Sequence, residues 1–265
     1  MRIAYLVAAG LIVAAGGSIE AQRPAPTPAG FTLKTWIVGG VKRTGLVAVP
    51  KTIPPGGAPL VLVFHGHGGT ATNMTRAMPI NTAWPEAIVI YPQGLPAPGG
   101  TVDPDGRDAG WQSEPGALGD RDVRFVDSLV AWARRNYRVD SKRVFAAGHS
   151  NGGWFTYVLW ATRPDMFAAF APSSAVFGKM AIGAKPKPAI ITAGEKDRLV
   201  PFAQQRRSIN AVIQLDGATT RGEPWFGGAT LHKSGIADVA TYVHPGGHPM
   251  PANTAAVVVK FFKMR

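Results

Sequence analysis

Gly148-His149-Ser150-Asn151-Gly152 is the stretch that decides the fold expected of this sequence. An apolar run, residues 144–147, precedes the pentapeptide, and a helix-like run, residues 154–162, follows it. A Gly-x-Ser-x-Gly motif between a strand and a helix is typical of a sharp turn that presents a nucleophilic serine, because a side chain at either glycine would collide with neighbouring backbone. The context therefore predicts that Ser150 stands on such a turn as the nucleophile.

Strand-like and helix-like stretches alternate along most of the chain. Alternating residues at 31–38 and 41–49 flank Gly39-Gly40 and predict an antiparallel hairpin. Apolar runs predict further strands at 60–64, 87–91, 143–147, 167–171, 189–192 and 239–243. Helical patterns occupy 120–137, 201–215 and 253–262. This order predicts an α/β fold, with a mostly parallel twisted sheet, helices on both faces and an N-terminal antiparallel hairpin.

A serine nucleophile needs a base and a third group that orients the base. In sheets of this kind the chemistry collects at the carboxyl ends of the strands, in the chain order serine, acid, histidine. Asp197 follows the strand at 189–192, and His248 follows the strand at 239–243. We expect Asp197 to be the acid and His248 to be the base, with Glu195 and His244 as the alternatives that lie earlier in the same turns.

The glycine-rich run His65-Gly66-His67-Gly68-Gly69 comes directly after the strand at 60–64. Glycines let backbone approach a bound ester and aim N–H groups at its carbonyl oxygen. We expect the N–H of His67 to form half of an oxyanion hole and the N–H of Asn151 to form the other half.

Two stretches invite a metal interpretation. His65 and His67 are two residues apart, but the carboxylate and further histidines of a hydrolytic metal centre are not close in the sequence. The acidic run at 103–108 has Arg107 at a position that a calcium loop reserves for oxygen, and its glycine comes too early. This run is therefore expected to be a surface turn, and the sequence predicts no metal and no cofactor.

Trp111 lies in a long loop rich in glycine and proline, residues 94–119, which is expected on the active face. Trp111, its neighbour Gln112 and His149 are the residues expected to contact substrate, since an aromatic wall suits flat or apolar acyl groups. Core or lid packing is the alternative for Trp111. Trp154 follows the turn on a helix and is expected to pack rather than bind.

Composition limits the class of protein. With 265 residues, of which 46% are hydrophobic, the chain can bury one large core. The absence of cysteine excludes disulfides, a lipobox anchor and a Cys-ligated zinc. The formal charge of +12 indicates a solvated basic surface. No compact Lys/Arg block or basic stripe interleaved with aromatic residues points to nucleic acid, so no nucleic-acid partner is expected.

The N-terminus has the pattern of a secretory signal. Arg2 precedes an apolar run at 3–17, and Ala21 offers a cleavage site before Gln22. An uncleaved anchor is the alternative, but the uncharged stretch at 3–19 is shorter than the roughly 20 residues of a spanning helix. We therefore expect a signal peptide at 1–21, a proline-rich leader at 22–30 and a catalytic domain at 31–265. The mature protein is expected to be secreted or periplasmic, with no stable membrane anchor.

As a set, several motifs resemble the secreted polyhydroxybutyrate depolymerase and feruloyl/acetylxylan esterase family of α/β-hydrolases, with similarity from about Thr32 to the C-terminus. They are His65-Gly66-His67-Gly68-Gly69, Tyr91-Pro92-Gln93-Gly94, Asp122-Val123-Arg124-Phe125-Val126-Asp127, Arg143-Val144-Phe145, Gly148-His149-Ser150-Asn151-Gly152-Gly153 and Gly246-Gly247-His248. The resemblance implies a serine carboxylesterase with Ser150, Asp197 and His248 as its triad. It also implies an acyl-enzyme and an ester substrate, polymeric and cell-wall esters included.

The chain departs from that family at positions near the expected pocket. His67 stands where members often have cysteine, and Ala193 where they usually have histidine; Pro249-Met250 replaces a tryptophan, and Trp154 a smaller residue. Two other functions stay open: cleavage of a peptide, amide or thioester bond by the same triad, and a binding fold without catalysis. The sequence fixes neither the acid and alcohol of the substrate nor the oligomeric state.

Overall fold

A computed structural model of the protein describes residues 27–265. The expected signal peptide and residues 22–26 of the expected leader lie outside the described residues. The strands are β1 Thr32–Val38, β2 Val41–Ala48, β3 Ala58–Phe64, β4 Ile88–Pro92, β5 Leu95–Pro96, β6 Ala109–Gly110, β7 Val139–His149, β8 Ala169–Ser173, β9 Ala189–Gly194, β10 Glu223–Pro224, β11 Thr230–His232 and β12 Val239–His244. The helices are α1 Ala71–Ala77, α2 Ile80–Ala83, α3 Arg121–Asn136, α4 Asn151–Thr162, α5 Phe202–Leu215 and α6 Thr254–Phe262.

Ten of these strands form one sheet, in the order β1-β2-β4-β3-β7-β8-β9-β12-β11-β10. The six central strands, from β4 to β12, pair parallel to one another. The β1–β2 hairpin adds to one side through an antiparallel pairing of β2 with β4, and β11 and β10 add to the other side, also antiparallel. Strands β5 and β6 pair with each other apart from the main sheet.

Strand β3 illustrates why the central strands carry continuous apolar runs. All of its residues are buried, and their side chains alternate between two hydrophobic clusters, one on each face of the sheet. Leu60, Leu62 and Phe64 pack with residues of α3, α4 and α5, whereas Val61 and Val63 pack with residues of α1, α2 and α6. Helices therefore cover both faces.

The predicted fold class is confirmed: the sheet is mostly parallel, it is covered by helices on both faces, and it starts with the antiparallel hairpin. The strand predicted at 167–171 lies two residues further along, as β8, and the short strands β10 and β11 have no strong signal in the sequence. Among residues 27–265, no helix combines the length and the apolar character needed to cross a bilayer. The parallel strands all end at one edge, and that edge carries the candidate site.

Candidate active site

Ser150 occupies the turn between β7 and α4 in a backbone conformation that L-residues rarely adopt, with φ 55° and ψ −122°. Its N–H donates to the Ser173 carbonyl at 2.9 Å, which ties the turn to the end of β8. A Cβ at Gly148 would collide with the carbonyl oxygen of Gly152, and one at Gly152 would collide with that of Phe64. Both flanking glycines are thus required by close backbone contacts.

Asp197 and His248 are hydrogen-bonded to each other, and His248 lines the same cavity as Ser150. The Nδ1 atom of His248 lies 2.8 Å from Oδ2 of Asp197, whose side chain is fully buried. A carboxylate only accepts hydrogen bonds, so Nδ1 carries the proton and Nε2 is left to exchange one. Ser174 fixes the backbone of the histidine, because its hydroxyl donates to the His248 carbonyl at 3.1 Å.

The two alternative residues, Glu195 for the acid and His244 for the base, do not take part in this hydrogen-bonded pair. Glu195 is exposed at the start of the turn after β9 and forms no side-chain hydrogen bond within the described residues. His244 is buried, its Nδ1 accepts from the Gly246 N–H at 3.2 Å, and burial lowers its pKa. His244 does not line the cavity beside Ser150, whereas His248 does.

His67 and Asn151, whose backbone N–H groups are expected to form an oxyanion hole, line the same cavity as Ser150. Asn151 is the first residue of α4, so its N–H belongs to the first turn, where helix amides have no intrahelical acceptor. The Gly68 N–H donates to the Ala109 carbonyl and the Gly69 N–H to the Gly66 carbonyl. The His67 N–H makes no hydrogen bond to another described residue. Both N–H groups are therefore free to donate to a ligand.

His65 has no nitrogen to offer a metal. Its Nε2 accepts from the Gly94 N–H at 2.9 Å, and its Nδ1 lies 2.7 Å from the carbonyl oxygen of Gly66. Burial lowers its pKa to about 4, so the ring is neutral near neutral pH. This histidine joins the glycine-rich run to the end of β4.

The acidic run at 103–108 approaches His67, which its sequence spacing does not indicate. Ligand-type atoms of His67, Asp103 and Asp108 lie within 4.8 Å of one another. His67 Nε2 is 3.0 Å from Oδ2 of Asp103, and both oxygens of that carboxylate already accept backbone N–H groups, from Arg107 and Asp108. These contacts form a hydrogen-bonded turn packed on the glycine-rich run.

The expectation that Trp111 and Gln112 contact substrate is wrong for this structure. Trp111 is fully buried, stacks on Phe155 and donates from Nε1 to the His65 carbonyl at 2.9 Å. Gln112 is buried and donates to the carboxylate of Asp120 at 2.7 Å. Neither residue lines the cavity, because the loop that carries them folds inward between β3 and α4. Packing, the alternative considered for Trp111, is what the structure contains.

A cavity of about 730 Å³ opens beside Ser150. Its polar wall includes His67, Ser150, Asn151 and His248, together with Ser113 and Glu114. Its apolar wall comprises Trp154, Val200 and two residues that are also exposed at the mouth, Val102 and Leu199. Trp154, expected only to pack, both packs against the core and lines this cavity. Side chains that the sequence analysis did not single out, in loops that it did, thus supply most of the apolar wall.

His149 lines the cavity and packs against His248, with ring centroids 4.8 Å apart. Burial, and then the neighbouring His248, lowers the pKa of His149 to about 4. The ring is therefore uncharged near neutral pH, so a neutral side chain flanks the expected base.

Comparisons with known proteins find relatives in sequence and in fold. The family model of the prolyl oligopeptidase family matches residues 110–186, which include the serine turn. The chain is 28% identical to esterase NocK of Nocardia uniformis subsp. tsuyamanensis, covering 76% of this chain and 67% of that one. It is 27% identical to a bifunctional acetylxylan esterase/xylanase of Neocallimastix patriciarum, covering 77% of this chain. The chain spans only 30% of the length of that second relative.

Among solved structures, an acetyl xylan esterase from Aspergillus awamori superimposes with a TM-score of 0.68 at 18% identity. The match covers 88% of this chain and all of that one. At this level of identity the likeness concerns the fold, which is that of the α/β-hydrolases.

Proposed function

The chain belongs to the esterase family of the α/β-hydrolase superfamily, and on that premise we propose that it hydrolyses carboxylic esters through an acyl-enzyme on Ser150. The observation that carries the proposal is the 2.8 Å hydrogen bond from His248 to Asp197 beside the cavity that Ser150 lines. A buried carboxylate that holds a histidine in one tautomer is what a serine nucleophile requires.

In the proposed reaction, His248 Nε2 takes the proton from the Ser150 hydroxyl while Oγ attacks the ester carbonyl carbon. The carbonyl oxygen becomes an oxyanion that accepts hydrogen bonds from the backbone N–H groups of His67 and Asn151. The bond to the alcohol oxygen then breaks, and the alcohol leaves with the proton from His248. A water molecule repeats the sequence on the acyl-enzyme and releases the acid.

For the substrate we propose esters of cell-wall or polymer origin, with acetyl, feruloyl and polyhydroxyalkanoate esters as candidates. The cell-wall esters are supported by the relatives named for acetylxylan. A cavity of about 730 Å³ also has room for an acyl or alcohol group much larger than acetyl. Its apolar wall suits groups that gain from burial, by about 25 cal/mol for each Å² of apolar surface.

Export is part of the proposal and is supported by the signal-like pattern at residues 1–21. N-terminal sequencing of the protein recovered from the medium or periplasm of an expressing host tests it, with Gln22 as the expected first residue. A first residue of Met1 on membrane-bound protein would contradict it.

Labelling with a fluorophosphonate probe tests the nucleophile, because only an activated serine reacts. The wild-type protein should be labelled, and the folded Ser150→Ala variant should not. Activity should be lost to phenylmethylsulfonyl fluoride and retained in EDTA. Rates on methyl ferulate, acetylated xylan and polyhydroxybutyrate film, measured side by side, then identify the substrate class.

Peptide bond cleavage is the second candidate, favoured by the match of residues 110–186 to the prolyl oligopeptidase family. The same serine, histidine and acid would serve either bond. A panel of p-nitrophenyl esters and aminoacyl anilides distinguishes the two. Turnover of esters alone supports the esterase, and faster turnover of anilides would replace it with a peptidase.

A further inference from the structure

We propose that the side chains of His67 and Asp103 position the oxyanion hole by fastening it to the loop of residues 97–111, which we call the cavity loop. The inference rests on the proposed function and goes beyond it, because it assigns a task to two side chains outside the proposed triad. It is carried by three sets of contacts.

The first set of contacts surrounds the His67 ring. Its Nε2 lies 3.0 Å from Oδ2 of Asp103, and both side chains are nearly buried. The ring lies against Gly99 and Gly110: a Cβ at Gly99 would collide with Nε2, and one at Gly110 would lie 2.8 Å from Nδ1. The cavity loop therefore admits this ring only because it has glycine at both places. These contacts fix the side chain of the residue whose backbone N–H is expected to donate to the oxyanion.

The second is the position of Asp103 at the centre of the cavity loop. Its carboxylate accepts the N–H of Arg107 at 3.1 Å and that of Asp108 at 2.9 Å, and its carbonyl accepts the N–H of Gly99 at 2.8 Å. The backbone donors lower the pKa of Asp103, so the carboxylate stays charged in mildly acidic solution. Asp103 thus organises the turn with both carboxylate oxygens and holds His67 through one of them, Oδ2.

The third involves the other expected oxyanion donor, Asn151. Its side-chain Oδ1 accepts the Trp111 N–H at 2.7 Å, and its Nδ2 donates to the Trp111 carbonyl at 3.1 Å. Trp111 is the last residue of the cavity loop. Both residues that present an N–H to the expected oxyanion are therefore bound, through their side chains, to one loop.

This arrangement predicts that loss of the His67 anchor changes kcat and not KM. An oxyanion forms only in the transition state, so a displaced donor lowers kcat and leaves substrate binding nearly unchanged. Loss of an entire oxyanion donor costs about 10²–10³ in rate. Displacement of the His67 N–H by loss of its side-chain anchor should cost less, on the order of tenfold.

The experiment measures kcat and KM on p-nitrophenyl acetate for wild type, His67→Ala, Asp103→Ala and the double variant. Each single change should lower kcat about tenfold with KM changed by less than about threefold. The double variant should be no slower than the slower single variant, because both changes break one contact. His67→Gln should recover most of the rate, since its amide can donate to Asp103 from the place of Nε2.

A trifluoromethyl ketone gives a second readout, because its adduct with serine carries an oxyanion. Its inhibition constant should rise in proportion to the loss of kcat/KM. Asp105→Ala is the matched control, since Asp105 lies in the same turn but, among residues 27–265, its side chain pairs only with exposed Arg107. It should behave as wild type. If His67→Ala fails to fold by circular dichroism, Asp103→Asn takes its place.

Two results would overturn the proposal: an unchanged kcat in folded His67→Ala and Asp103→Asn, or a loss confined to KM, which would make the cavity loop a wall for substrate only. Failure of the proposed function is recognised separately. In that case the wild-type protein itself is neither labelled by the fluorophosphonate nor active on esters.

Discussion

Oδ2 of Asp197 accepts from His248 Nδ1 at 2.8 Å, and the remaining capacity of this carboxylate is filled by groups that fix its orientation. The N–H groups of Leu199 and Val200 each donate to Oδ1 at 2.9 Å, and Gln205 Nε2 donates to Oδ2 at 2.9 Å. Leu199 and Val200 also line the cavity. The group that orients the proposed base therefore also shapes the apolar wall beside it.

Removal of the proposed nucleophile or base should nearly abolish turnover. Ser150→Ala and His248→Ala should each lower kcat at least about 10³-fold, because the members of a triad act as a unit. Steady-state kinetics on p-nitrophenyl acetate measures this, with circular dichroism as the check on folding. Near-wild-type turnover in folded Ser150→Ala would remove the proposed mechanism.

The two acids in the turn after β9 should differ sharply. Asp197→Asn leaves a group that cannot hold the Nδ1–H tautomer as a carboxylate does, so kcat should fall by about 10²-fold or more. Glu195→Gln changes an exposed side chain and should leave kcat within about twofold. The reverse outcome would mean that Glu195 is the acid.

The serine turn, its glycines and the positions of the central strands along the chain follow from local signals, and the sequence predicts them well. A strand that is buried on both faces must be apolar throughout, and a strained turn between strand and helix requires glycine. The hydrogen bond between His67 and Asp103 joins residues 36 apart in the chain. No local pattern encodes such a contact, and for that reason the run at 103–108 is interpreted from sequence only as a surface turn.

Trp111 shows the same limit in another form. An aromatic residue in a long loop rich in glycine and proline favours a binding role, but the loop turns inward. The tryptophan then fills the space between Phe64 and Phe155. The sequence identifies a large side chain near the site, but it does not indicate whether the loop directs that side chain into the core or into the cavity.

Trp111→Ala should therefore destabilise the protein rather than change its specificity. Truncation of a fully buried tryptophan costs about 3–5 kcal/mol, since it leaves a cavity. The loss of the Nε1 hydrogen bond to His65 adds to this cost. The melting temperature should fall by several degrees, and the ratio of rates on a phenolic and an acetyl ester should stay within about twofold for the protein that remains folded. A large change in that ratio with an unchanged melting temperature would show that Trp111 contacts the substrate.

Leu199 and Val102 should set the preference for long acyl or alcohol groups. Both side chains line the cavity, and both are more than two-thirds exposed, Val102 at 71% and Leu199 at 68%. Leu199→Ser should lower kcat/KM on p-nitrophenyl octanoate several-fold and barely change it on the acetate, because about 0.8 kcal/mol is gained for each buried CH₂. Ile182→Ser is the matched control, since Ile182 is exposed away from this cavity. Equal losses on both esters would show that Leu199 acts through the neighbouring Asp197.

Asp216 should make the fold less stable as the pH rises. The residue caps the C-terminal end of α5 with no exposed surface. Its Oδ1 accepts the Lys187 N–H at 3.0 Å, whereas Oδ2 has no hydrogen-bond partner among the described residues. Burial raises the pKa of this carboxyl to about 8, so the folded protein holds a proton that the unfolded chain releases near pH 3.9.

The sign of the effect follows from this difference. The stabilising contribution of the bound proton is complete below about pH 3.9, is lost at up to about 1.4 kcal/mol per pH unit above it, and is gone beyond about pH 8. Asp216→Asn keeps a neutral group at this place, so its melting temperature relative to wild type should rise steadily between pH 5 and pH 8, to the extent of several degrees. Asp165→Asn is the control, because Asp165 is exposed and its hydrogen bond with Lys185 lowers its pKa. A constant difference between Asp216→Asn and wild type across this range would mean that Asp216 is ionised in the folded protein, with water or a cation at Oδ2.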